Sequence, residues 1–115
     1  MHALILILNQ TEKLDVILEM LYKLGAGATT IDSVGMGKVL LDHNIHTNIF
    51  ASLKNVLNEG KPYNKTLISV MRDKKKLDTA VDEISTILDI DNTPGAGFLF
   101  IIPVLTAKGG HYLNS

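Results

Sequence analysis

Pro94-Gly95-Ala96-Gly97-Phe98-Leu99-Phe100-Ile101-Ile102-Pro103-Val104 places two glycines, one residue apart, directly before an apolar run with a proline near its end. Glycine permits positive φ and a close approach of backbone to a neighbouring group. The pattern therefore predicts a glycine turn feeding a strand over about residues 97–104. A second Gly-x-Gly, Gly35-Met36-Gly37, closes an earlier strand pattern. Two such turns in one small chain point to a binding crevice built of main chain, whose N–H groups can hold an anion. They point away from a catalytic site built of side chains.

Outward from that stretch, residues 2–8 read as a continuous apolar strand broken by Asn9-Gln10. Thr11 is a plausible N-cap, and Leu14, Ile17, Leu18 and Leu21 follow at helical spacing until Gly25 and Gly27 end the helix. Residues 28–34 are rich in β-branched side chains and predict a second strand, and residues 65–71 a third. Asp73 is placed to cap a second helix whose apolar face is Leu77, Val81, Ile84 and Leu88, with Ala80 and Ile87 beside it. Asp91-Asn92-Thr93-Pro94 is turn chemistry. After Ala107 the chain carries Gly109-Gly110 and few apolar residues, so 109–115 is expected to be a flexible tail to a single domain over 1–108.

The connection at 38–64 spans 27 residues, a length that in a compact domain is usually functional or disordered. Ile49, Leu53, Val56 and Leu57 recur there at helical spacing, stopped by Gly60 and Pro62. A short amphipathic helix over about 48–58 is expected. It either packs on its own subunit or offers these residues to a partner.

The element order is β-α-β-β-α-β, an α+β ferredoxin-like sandwich with a four-stranded antiparallel sheet and a long loop, containing a short helix, between strands 2 and 3. Both helices would cover one face of the sheet. The strands read as apolar on both sides, so the second face needs a cover, which oligomerisation supplies. Ile101 is expected in a core or a subunit interface.

Composition narrows the function. The chain has 115 residues, 46% of them hydrophobic and 20% charged, and a net charge of −1. That balance predicts one folded domain without the electrostatic footprint of a nucleic-acid binder. Arg72-Asp73-Lys74-Lys75-Lys76 is a local basic run, read as a solvated helix start. The absence of cysteine excludes disulfides, zinc–thiolate sites and thiol catalysis, and fits a reducing cytoplasm. The apolar start at Met1–Leu8 lacks a basic flank and is too short to span a membrane. A cytoplasmic location is expected.

Taken together, these segments resemble the P-II family of nitrogen-regulatory signal-transduction proteins. Thr29-Thr30-Ile31-Asp32-Ser33-Val34-Gly35-Met36-Gly37 is similar, without a gap, to the family's T-V-T-E-V-K-G-F-G. The run from Gly95 to Val104 is similar to its G-D-G-K-I-F-V-x-P-V, and 38–64 stands where the family has its T-loop. The resemblance implies a homotrimer that binds a small-molecule effector, ATP or ADP, between subunits and requires no cofactor. It implies control of a membrane transporter or metabolic enzyme through the loop. The ligand-binding residues it implies are Thr29, Gly35, Met36, Gly37, Lys38, Gly95, Ala96, Gly97 and Lys108. The partner-binding residues are Ile49, Leu53, Val56 and Leu57. The chain departs from the family where Val39 replaces a Gln, Phe98 replaces a Lys, and positions near Gly109 and His111 replace two Arg. The backbone cradle is kept and most of the cationic clamp is not, which marks a divergent P-II-like branch.

Other constellations are weaker. Asp42-His43-Asn44-Ile45-His46 holds two imidazoles three residues apart, but a strong metal site needs three or four ligands, and polar loop residues are the simpler reading. An alternative function on this architecture is a metal- or anion-responsive trimer similar to the divalent-cation-tolerance proteins. No serine stands in a nucleophile motif, and the carboxylate pairs Asp82-Glu83 and Asp89/Asp91 fall on or after an exposed helix face. A non-enzymatic role is expected.

Overall fold

The alternation of the first strand fixes how the layers stack. In β1 (His2–Leu8), Leu4, Leu6 and Leu8 are fully buried while Ile5 and Ile7 between them are only half-buried. The computed structural model describes residues 1–35 and 64–110. After β1 come a 3-10 turn (Thr11–Lys13), α1 (Leu14–Lys23), β2 (Thr29–Ser33), β3 (Asn64–Met71), α2 (Lys74–Leu88) and β4 (Gly97–Pro103). The strands form one sheet in the order β2-β3-β1-β4, and each neighbouring pair is antiparallel. This is an α+β architecture compatible with the ferredoxin-like expectation. The helix expected over 48–58, with Ile49, Leu53, Val56 and Leu57, lies outside the described residues.

The helices cover one face. Ile17 and Leu21 of α1 and Leu77, Ala80, Ile84 and Leu88 of α2 pack on Leu4, Leu6, Leu8, Leu67 and Met71. A leucine buried to this degree contributes about 1.5–3 kcal/mol by leaving water. Ser69 shares this layer and is buried; its hydroxyl donates to the Gly27 carbonyl at 2.6 Å, so the buried polar atom is satisfied.

The helix ends follow local chemistry. Asp73 is the N-cap of α2, its carboxylate accepting from the N–H groups of Lys75 and Lys76. At the end of α1, Gly25 has φ +76°. The N–H groups of Gly25 and Ala26 donate back to Tyr22 and Leu21 at 2.9 Å, a paired closure that needs a left-handed residue. Thr11 is not the cap expected of it. The chain enters α1 through the 3-10 turn, and neither Gln10 nor Lys13 makes a side-chain cap.

Two burial expectations are corrected. β2 is not buried on both sides: Thr29, Thr30, Ile31 and Asp32 are exposed, because among the described residues β2 is an edge strand paired with β3 alone. Ile101 lies opposite Leu4 on the helix-facing side but is 36% exposed, since β4 is the other edge of the described sheet and the helices centre on β1 and β3. Of the core or subunit interface expected for it, it is not in the core of this chain. Among the described residues, no helix is long and apolar enough to cross a membrane.

Candidate functional site

Strand direction brings distant residues together. β1 and β2 end, and β3 and β4 begin, at the same end of the sheet, as the pairs Leu8↔Gly97, Leu8↔Lys65 and Ser33↔Asn64 require. Side chains there alternate between faces. Asn9, Ser33, Asn64 and Thr66 fall on the face away from the helices.

These four form a continuous hydrogen-bonded chain. The Ser33 hydroxyl donates to Asn64 Oδ1. Asn64 Nδ2 donates to Asn9 Oδ1 at 3.3 Å, and Asn9 Nδ2 donates to the Gly95 carbonyl at 3.0 Å. Ser33 Oγ lies 2.8 Å from Thr66 Oγ1. Serine has one proton to give and has given it to Asn64, so Thr66 is the donor in that contact. Every bond then runs in one direction, Thr66 to Ser33 to Asn64 to Asn9 to Gly95, an arrangement in which each bond polarises the next. Asn64 is 5% exposed, and the chain satisfies an amide that would otherwise be costly to bury. The charged neighbours Asp32 and Lys65 alternate to the other face, where they pair with each other.

The first glycine turn meets this chain at Gly35, where an added Cβ would lie 3.7 Å from Asn64 Nδ2. The second meets it at Gly95, with φ +81° and, among the described residues, no atom within 4 Å of an added Cβ. That position needs glycine for its backbone conformation and leaves open space beside it. Ala96 is buried, and its carbonyl accepts from the N–H groups of Asn9 and Gln10 at 3.0 and 3.1 Å. Gly97 serves packing. A Cβ there would come within 3.2 Å of the Ile7 carbonyl oxygen and 3.1 Å of Leu88 Cδ1.

Gly35, Gly95, Ala96 and Gly97 therefore share one end of the sheet. Thr29 lies on the same face but mid-sheet, opposite Ile68. Lys108 follows β4 beyond the opposite end, where Pro103 pairs with His2, and is exposed. β4 itself runs about 20 Å from Gly97 to the end from which the chain leads to Lys108. Met36, Gly37, Lys38, His43 and His46 lie outside the described residues. Sequence reading missed Asn9, Ser33, Asn64 and Thr66, each of which looks alone like a strand-end or turn residue.

The rest of this face is mostly apolar. Ile31, Thr66, Ile7 and Phe98 form the next row, followed by Thr29, Ile68, Ile5 and Phe100, then Val70, Ala3 and Ile102. Phe98 is 62% exposed and Ile102 43%, and the rings of Phe98 and Phe100 lie 5.5 Å apart at 40°. A separate groove of about 550 Å³ lies between the helices, floored by Val16, Met20, Leu24 and Ile87, with Glu19 paired to Lys23 on its rim. It belongs to the other layer and touches neither glycine turn. No protein-family model matches the chain, and no curated protein does.

Proposed function

We propose that this chain is a non-catalytic, P-II-like sensor of the ferredoxin-like βαββαβ type. It assembles as a trimer through the open face of its sheet and binds a small ligand, an adenine nucleotide, at the glycine-turn end between subunits. It controls a transporter or metabolic enzyme in the cytoplasm through 38–64. The observation that carries this reading is convergence. Gly35, Gly95 and Asn64, the residue that follows 36–63, meet at one end of the sheet, where a chain of hydrogen bonds runs from Thr66 and Ser33 through Asn64 and Asn9 to the Gly95 carbonyl. A ligand at Gly95 would touch the group that fixes both sides of that segment. The sheet order β2-β3-β1-β4 supports the fold, and the half-exposed apolar rows support a second cover.

The test is a thermal-shift screen of the full chain with ATP, ADP, cyclic dinucleotides, 2-oxoglutarate and divalent metals, paired with light scattering. A ligand that binds only the native state raises the melting temperature by mass action, by about 2.7 kcal/mol of stability at a hundred times its Kd. A rise with a nucleotide on a trimer is expected. A stable monomer at micromolar concentration, or a rise with metals alone, overturns the reading.

A further inference from the structure

We propose that the glycine-turn end of the open face takes a flat heteroaromatic ring of the nucleobase class, stacked on Phe98 and read at its edge by the Asn9 amide. This rests on the sensor reading above and names how its ligand is held. Phe98 lies opposite Ile7 in register, on the same face as Asn9, which immediately follows the first strand. Among the described residues it is the aromatic ring nearest in register to the polar chain; it is 62% exposed, and Phe100 supports it at 5.5 Å. An exposed, braced ring offers the sequence-tolerant stacking surface that bases use.

The edge contact follows from counting. A carboxamide has two N–H donors and two lone pairs. The polar chain uses one donor of Asn9, to the Gly95 carbonyl, and one lone pair, from Asn64. One donor and one acceptor are left on the planar group of an exposed residue. A donor and an acceptor on one amide match the hydrogen-bonding edge of a base, adenine most directly. The chain also fixes the Asn9 rotamer beforehand, so little ordering remains when a ligand arrives. The described side chains on this face at this end, Ile7, Asn9, Ile31, Ser33, Asn64 and Phe98, carry no formal charge. They favour an uncharged ring, and the phosphates of a nucleotide would add little here.

Calorimetry on the full chain with adenosine, guanosine, cytidine, uridine, ATP and inorganic phosphate tests this. At least one nucleoside is expected to bind within about tenfold of ATP, because stacking carries most of the affinity. Phe98→Leu keeps apolar surface but removes the π face and is expected to weaken that nucleoside about 5- to 150-fold, whereas Phe98→Tyr retains it. Asn9→Ala is expected to change the preference among the four nucleosides. ATP binding with no nucleoside binding would leave the sensor reading standing and overturn this one. Binding by none of them overturns this inference together with the nucleotide part of the sensor reading. Nucleoside affinity unchanged in Phe98→Leu, with a fall in scattering mass, would make Phe98 a subunit contact and also overturn it.

Discussion

The two faces of this sheet are built from alternate residues of the same strands, yet they meet different fates. On the helix side, Leu4, Leu6, Leu8 and Leu67 are fully buried. On the other side, Ile5, Ile7, Ile68 and Val70 are half-buried, and Phe98, Ile31 and Ile102 are exposed. The residue types scarcely differ, so composition cannot explain the contrast. The helices decide it, since an apolar row becomes a core only where another layer lies over it. The first face makes the fold. The second is surplus to a single chain except at its polar end, where hydrogen bonds replace packing.

The sharpest test of the contrast is truncation on the covered side. Leu6→Ala removes a fully buried side chain at the centre of the helix-facing layer. The loss expected is about 2–5 kcal/mol of unfolding free energy, combining lost transfer and the cavity left behind. Urea denaturation measures it. A loss below about 1 kcal/mol would mean that the helices do not seal this layer.

The covered face was largely legible in the sequence, and the polar end was not. The helical spacing of Leu77, Ala80, Ile84 and Leu88 after the Asp73 cap is a local signal, and the structure keeps it. The helix stop at Gly25 and the turn at Gly95 were also visible, since both take positive φ, whereas Gly35 does not and Gly37 lies outside the described residues. Exposure at the sheet edges was hidden. Ile101 reads as a core or interface residue by alternation, but alternation assigns a face and says nothing of whether a helix reaches it. The chain from Thr66 to Gly95 was hidden for a different reason. Asn9, Ser33 and Asn64 are far apart in sequence, and only the register of three ladders brings them together. Gly97 was legible as a special position but misread as to cause, since what its missing Cβ admits is the Ile7 carbonyl and Leu88.

A smaller effect is expected at that polar end. Asn64→Ala cuts the chain in the middle and leaves the Ser33 hydroxyl and Asn9 Oδ1 without these partners. Stranding partly buried polar groups costs about 1–3 kcal/mol, again read by urea denaturation. Asn64→Asp keeps the acceptor for Ser33 but loses the donor to Asn9, so an intermediate loss is expected. Equal stability of wild type and Asn64→Ala would mean that the chain contributes nothing net and that packing alone holds the strand ends.

The smallest effect on the stability of the single chain is expected on the open face, and it is the most diagnostic. Ile102 is 43% exposed on an edge strand, opposite Ala3. In an isolated chain Ile102→Glu leaves the new carboxylate in water and changes stability by no more than about 0.5 kcal/mol. In an assembly that covers this face, the same carboxylate is stripped of water with no partner, at a cost of several kcal/mol. The substitution should therefore leave monomer folding intact while lowering the scattering mass to that of one chain. Tyr22→Glu, on the helix layer at 83% exposure, supplies the matched comparison and is expected to leave the mass unchanged. If both variants keep the wild-type mass, the open face is not the assembly surface. If Tyr22→Glu alone lowers it, the helix layer is the interface, and the contrast between the faces has been read the wrong way round.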